Sequence, residues 1–201
     1  MSAPRIGIFG GAFDPPHVAH VALARAAITQ LGLDELRVLP TGQAWHKSRT
    51  LTGGEQRLAM AREAFGELPR ATVDDRELRR EGPTYTVDTL RELRAEHPRA
   101  ELVLVIGADQ AEALKTWRES GEIVKLATIA VAARARPDPD APPFDATTLP
   151  AGGRFVAVEL PPMPVSATLI RGRVAAGQGI GQLVPPGVAS YIARHHLYAP
   201  T

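Results

Sequence analysis

Two histidines spaced for one face of a helix, His17 and His20, follow the run Gly10-Gly11-Ala12-Phe13-Asp14-Pro15-Pro16. The glycines let a ligand approach the backbone closely, and Asp14-Pro15-Pro16 forces a rigid turn. A helix starting near His17 offers unpaired N–H groups and the positive end of its dipole, an anion site. Imidazoles at i and i+3 share a face, so His17 and His20 form a donor pair for phosphate oxygens. Ser166 to Arg171 (SATLIR) suggests a second site of this kind. Ser166 is a natural N-cap and Thr168 sits in the first turn; taken alone, both read equally well as plain capping. Arg171, one turn further on, is a forked donor that can reach phosphates. Two helix N-termini would then hold a triphosphate from two sides. In-line phosphoryl chemistry asks mainly for such positioning and for charge neutralisation. It needs no protein nucleophile, and the chain has no cysteine and no evident Ser–His set.

The elements that must position these residues alternate along the chain. Short apolar strands are expected at Arg5–Phe9, Leu36–Pro40, Ala71–Asp74, Glu101–Gly107, Thr128–Ala133 and Phe155–Leu160. Glu101–Gly107 (ELVLVIG) is almost continuously apolar, as for a strand covered on both faces of a parallel sheet. Helices are expected at Val18–Leu31, with Val21, Ala24, Ile28 and Leu31 on one stripe, and at Glu55–Phe65, with Leu58, Ala61 and Phe65 facing the core. Others follow at Thr86–Glu96, Ala111–Lys115, Glu122–Ala127, Ala167–Ala176 and Gly187–His195. This βαβαβ order argues for a doubly wound parallel α/β sheet. Thr41–Gly54 and the Pro- and Asp-rich Arg134–Gly153 interrupt it as long loops, but the alternation resumes after each, so residues 1–201 read as one domain with a C-terminal helical part at about 166–198. Ligands of such sheets bind at the C-terminal strand ends where the strand order reverses. This directs attention to the loops after Phe9, Pro40, Asp74, Gly107 and Ala133, and to the one before Ala167.

Composition narrows the partners. With 23 basic and 22 acidic side chains the net charge is +1, and there are only ten aromatic residues, which disfavours a nucleic-acid module. No apolar run approaches the ~18–20 residues of a membrane span. The absence of cysteine, of an N-glycosylation sequon and of a visible signal peptide fits a cytoplasmic protein. The basic set comprises 20 Arg and only Lys47, Lys115 and Lys125. Lys47 is the lysine that falls in a strand-end loop, beside His46 and Trp45, and is a candidate phosphate contact. Arg76, Arg79, Arg80, Arg91 and Arg94 lie among acidic residues and read as solvated, sign-mixed surface. Asp109 follows a strand end, a place for a hydroxyl acceptor, and Arg134 ends the next strand as a candidate ligand contact. Trp117 reads either as core packing or as an indole face for a planar cationic ring. No GxxxxGK[ST], no GxGxxG after a strand and no HExxH occurs, so a P-loop protein, a dinucleotide-cofactor dehydrogenase and a zincin are disfavoured. His195-His196 read as structural.

Gly10 to His20 resembles the GG(S/T)FDPxHxGH signature of the nucleotidyltransferase superfamily. The chain from Arg5 to Tyr198 resembles one member family, the bacterial nicotinate-nucleotide adenylyltransferases. Four further blocks carry the likeness: His46-Lys47 with Glu55-Gln56-Arg57-Leu58, Gly82 to Leu90 (GPTYTVDTL), Ile106-Gly107-Ala108-Asp109 with Trp117, and Ser166 to Arg171. Ala12, Ala19 and Ala167 depart from the pattern, in place of Ser/Thr, Gly and Ser. Ala12 and Ala167 each lose a hydroxyl, whereas Ala19 adds a methyl where a helix prefers it.

The resemblance implies the Rossmann-like nucleotidyltransferase fold, with helices on both faces of the sheet. It implies adenylyl transfer from ATP to nicotinate mononucleotide, giving nicotinate adenine dinucleotide and pyrophosphate in NAD biosynthesis. His17, His20 and Arg171 would be catalytic. ATP would meet Phe9, Gly10, Gly11, Phe13, Gly107, Asp109, Arg134, Ser166, Thr168 and Ile170. The mononucleotide would meet His46, Lys47, Tyr85, Thr86 and Trp117, the last stacking on the pyridine ring. Mg²⁺ would enter on the ATP phosphates and water rather than in a carboxylate cluster. Nicotinamide mononucleotide or another acceptor of the same superfamily remains an alternative substrate, and a non-catalytic nucleotide-binding protein an alternative function. Phosphopantetheine is counted against, because His17 stands where its enzymes usually carry Thr. The sequence leaves a homodimer open.

Overall fold

The computed structural model describes residues 3–42, 51–134 and 149–200. Six strands, β1 (Arg5–Gly11), β2 (Glu35–Pro40), β3 (Ala71–Val73), β4 (Glu101–Ile106), β5 (Thr128–Arg134) and β6 (Phe155–Leu160), form one sheet in the order β3-β2-β1-β4-β5-β6. Every neighbouring pair is parallel. The chain runs outward from β1 to β3, returns to the sheet centre and runs outward again from β4 to β6. The order reverses between β1 and β4, which opens a crevice beyond their C-terminal ends.

Alternation along the central strands divides the core. Ile6 and Ile8 of β1 and Leu102, Leu104 and Ile106 of β4 face one cluster. It is closed by α4 (Thr86–Glu96) and α6 (Ser120–Leu126) through Val87, Leu90, Leu93, Ile123 and Val124. Phe9, Val103 and Val105 face the other, beneath α1 (Val18–Gln30) and α2 (Gly54–Phe65). Both faces of β4 are therefore covered, as its apolar run requires. A third cluster seats α7 (Ala167–Ala175) and α8 (Pro186–Arg194) on α2 through Met60, Ile170, Val184, Val188 and Ile192. The short helices α3 (Arg76–Arg79) and α5 (Ala108–Ala113) complete the fold.

Several sequence expectations are corrected. The buried face of α2 is Arg57, Met60, Ala61 and Phe65 rather than Leu58, Ala61 and Phe65; Leu58 is half-buried. The helix turns Arg57 inward because its guanidinium meets three carbonyls there, Thr52 O at 2.9 Å, Ala12 O at 3.0 Å and Thr41 O at 2.7 Å. On α1 the buried residues are Leu23, Ala24, Ala27 and Ile28, with Val21 only packed alongside. Helix α3 was not anticipated, and the first of its two arginines is not solvated surface: Arg76 binds Asp74 and Glu96, and its side chain is 14% exposed. These carboxylates raise the Arg76 guanidinium against its own burial, and Arg76 in turn lowers the Asp74 carboxyl below its ordinary value despite burial. Arg94 is likewise committed, donating to Ala100 O and Leu126 O.

Candidate active site

The crevice at the switch point has two lobes that share Gly10, Gly11, Ala12 and Gln110. The larger, of about 440 Å³, is lined by Phe9, Phe13, His17, His20, Gly107, Ser166, Thr168 and Arg171. With Gly10 and Gly11 these include the three residues expected to be catalytic and most of those expected to meet ATP, gathered from β1, α1, the end of β4 and α7. Sequence distance is closed by the sheet: β1 and β4 are adjacent, so Gly10 and Gly107 flank the opening. A side chain on either glycine would meet nothing within 4 Å. It would project into the lobe instead.

The histidines are held by each other and by their helix. His17 occupies the N-cap of α1. Its backbone N–H donates to His20 Nδ1 at 3.2 Å, and its carbonyl accepts from the His20 N–H at 2.9 Å. An Nδ1 that accepts carries no proton, so the ring proton of His20 sits on Nε2. The two rings stack at 3.7 Å with 20° between planes. His17 is 8% exposed, and burial lowers its imidazole from 6.5 to about 4, so the ring is neutral at physiological pH. Its Nδ1 is buried with no hydrogen-bond partner among the described residues. Phe13, held at φ 47° and packed edge-on against Phe9, Phe65 and His20, forms the floor.

Arg171 approaches from α7. Nη1 donates to Asp14 O at 2.8 Å and Nη2 to Thr168 Oγ1 at 3.1 Å. Ser166 caps α7 by accepting from Leu169 N–H at 3.1 Å, so its hydroxyl does the capping that its position predicts. The N-terminus of α1 is less open than its sequence suggests. The Val18 N–H is taken by Leu183 O at 3.0 Å, a partner 165 positions away that no local signal could disclose.

The second lobe, of about 220 Å³, is lined by Tyr85, Thr86 and Trp117, together with Ile8, Ile106, Glu77, Thr84, Thr89 and Arg118. Tyr85 is the N-cap residue of α4 and Thr86 its first helical residue. Trp117 is half-buried, packs against the core cluster with Tyr85 and also lines this lobe. Glu77, which sequence reasoning did not single out, is 7% exposed and accepts from Thr89 Oγ1 at 2.8 Å. Burial pushes its carboxyl above the ordinary value.

Two expected contacts are not brought together here. Ile170 is fully buried in the C-terminal core rather than in the cleft, because its position on α7 faces α2 and α8. Asp109 is exposed on α5 and lines neither lobe, whereas its neighbour Gln110 lines both. Arg134 closes β5, but its side chain lies outside the described residues, as do His46 and Lys47 and residues 135–148. Among the described residues, no group of three or more His, Cys, Asp or Glu could hold a metal ion. None of their helices is long and apolar enough to cross a membrane.

Residues 8–173 match the cytidylyltransferase-like family. A protein of Albidiferax ferrireducens named "Probable nicotinate-nucleotide adenylyltransferase" is 56% identical over 96% of this chain and 98% of its own. One of the same name from Methylibium petroleiphilum is 46% identical over 98% of this chain and 93% of its own. In fold, the chain is similar to the Plasmodium falciparum nicotinic acid mononucleotide adenylyltransferase complexed with NaAD. The TM-score is 0.79 at 20% identity, over 97% of each chain. The same enzyme complexed with APC superposes with a TM-score of 0.76 at 19% identity, again over 97% of each. The chain thus belongs to the cytidylyltransferase-like family, among the nicotinate-nucleotide adenylyltransferases.

Proposed function

We propose that the chain transfers the adenylyl group of ATP to nicotinate mononucleotide, with ATP phosphates in the larger lobe and the pyridine mononucleotide in the smaller. The observation that carries this reading is the paired histidine arrangement. His20 presents an Nε2–H donor and His17 is a buried imidazole whose Nδ1 has no hydrogen-bond partner among the described residues, both lining the glycine-walled lobe that Arg171 enters.

The mononucleotide phosphate oxygen attacks the α-phosphorus of ATP. The bond from that phosphorus to the bridging oxygen of the β-phosphate breaks, and pyrophosphate leaves. His20 and Arg171 stabilise charge on the phosphate oxygens as it moves. Gly10, Gly11 and Gly107 let the phosphates lie against the backbone. Tyr85, Thr86 and Trp117 orient the acceptor, and the two reactants meet at the rim that the lobes share, Gly10, Gly11, Ala12 and Gln110. Mg²⁺ arrives as part of the substrate MgATP, which suits a site without a carboxylate cluster, because this ion keeps most of its ligands as phosphate and water.

The test is to incubate the protein with MgATP and nicotinate or nicotinamide mononucleotide and measure pyrophosphate. The reading predicts release that depends on both substrates and is faster with the acid. No release with either mononucleotide overturns it.

A further inference from the structure

The four described residues that line both lobes of the crevice differ in what they can offer a ligand. Gly10, Gly11 and Ala12 have no polar side-chain atom. Gln110 has a carboxamide, with two N–H donors and an acceptor oxygen. That carboxamide makes no hydrogen bond to another described residue. The described cations are divided between the lobes: Arg171 lines only the larger and Arg118 only the smaller. At the junction itself, the side-chain donor among the described residues is therefore a neutral amide.

The local fold turns this amide inward. The Gln110 N–H donates to Gly107 O at 3.1 Å, which starts α5 directly off the end of β4. Gln110 and Ala113, at i and i+3, share the face that lines the crevice. Asp109 and Glu112, also at i and i+3, share another face; both are exposed and line neither lobe. Ala111 is buried on the core side. Helix α5 thus keeps its two carboxylates away from the crevice and presents a donor to it, an arrangement suited to an anionic ligand.

From this placement we infer that Gln110 is a catalytic residue whose carboxamide donates to the phosphate groups that become joined. The inference rests on the reaction proposed above, in which the acceptor phosphate and the α-phosphate of ATP meet where the lobes do. A donor fixed at that point stabilises oxygens whose charge shifts as the new bond forms. The rival use of the same amide is to accept from a sugar hydroxyl, and replacement by a carboxylate separates the two. A carboxylate accepts but does not donate, and it repels phosphate.

The experiment measures kcat/KM with MgATP and nicotinate mononucleotide, and the affinity for nicotinate adenine dinucleotide by calorimetry, in wild type, Gln110→Ala, Gln110→Met and Gln110→Glu. Thermal unfolding is the control for folding. Gln110 is exposed on a helix, so the variants are expected to melt like wild type; if Gln110→Ala does not, Gln110→Met, of similar length, carries the comparison. Both neutral variants should lose at least about tenfold in kcat/KM, the scale of one hydrogen bond to a charged group. Both should weaken the dinucleotide by a similar factor. Gln110→Glu should fall further than either. If wild type is active and the neutral variants match it, this inference fails while the proposed reaction stands. It fails likewise if Gln110→Glu retains more activity than Gln110→Ala, which would assign the amide to a sugar hydroxyl. If wild type releases no pyrophosphate with either mononucleotide, both fail.

Discussion

The Tyr198 hydroxyl donates to Asp14 Oδ1 at 2.6 Å, joining residues 184 positions apart. Asp14 is 2% exposed; its other carboxylate oxygen accepts the Thr52 N–H at 3.2 Å, and its carbonyl accepts from Arg171. Burial and the Asp14 charge push the Tyr198 hydroxyl well above its ordinary range, so it remains a donor. The last turn of the chain thereby braces the loop that ends at His17. Tyr198→Phe should cost about 1.5–3 kcal/mol of stability, the range for hydrogen bonds to charged groups. It should lower kcat more than it changes KM. Chemical denaturation and steady-state kinetics check both, and unchanged kcat in a folded variant would show that the brace does not set the loop.

His20→Ala removes the Nε2–H donor and leaves the core clusters intact. Loss of one preorganised donor to a transition-state oxygen typically costs about 10²–10³ in turnover. A decrease of at least ~10²-fold is expected, with thermal unfolding close to wild type. Turnover near wild type would remove His20 from the mechanism.

His17 gives an acid-side signature. Its folded value is about 4 against an ordinary 6.5. Above the ordinary value the ring is neutral in both states and contributes no pH dependence. As pH falls below it, the unfolded chain binds a proton that the folded protein refuses, and stability is lost, reaching about 3 kcal/mol below the folded value. His17→Asn should therefore lose less stability between neutral pH and pH 4 than wild type does. Parallel unfolding curves across that range would contradict the burial effect.

The glycines of the larger lobe separate fold from function. Gly10→Ala and Gly107→Ala place a methyl group where no atom lies within 4 Å. Both should melt like wild type and bind ATP more weakly, seen as a raised KM. Gly11→Ala differs: its methyl would meet the Phe13 ring at 2.9 Å, so it should lower stability as well. An unchanged KM for ATP in both Gly10→Ala and Gly107→Ala would place the phosphates elsewhere.

How far the sequence reached depended on where each cause lay. β4 was legible because double-sided burial demands an unbroken apolar run, and Leu102 to Ile106 supply one. His17 and His20 were legible because i,i+3 spacing and a strand–glycine–proline lead-in are local. Arg57 was not among the expected core residues of α2, because its three carbonyl partners come from the ends of β1 and β2 and the segment before α2. Ile170 sits inside a block expected to touch ATP, yet its orientation is set by α2 and α8, which pack on the opposite side of α7. Asp109 and Gln110 differ only by the phase of one helical turn, which strand-end reasoning does not resolve. Glu77 stands out only once α3 places it beside Thr89.

The two lobes have Gly10, Gly11, Ala12 and Gln110 in common, so one stretch of backbone walls both. A single molecule carrying a polyphosphate at one end and a pyridine carboxylate at the other would cross that rim without detour. Its second end would bind as an intramolecular event, at the high effective concentration that a short tether creates. Bisubstrate compounds are thus the natural ligand design for this crevice, and their affinity should exceed that of either half far more than added contact area would account for.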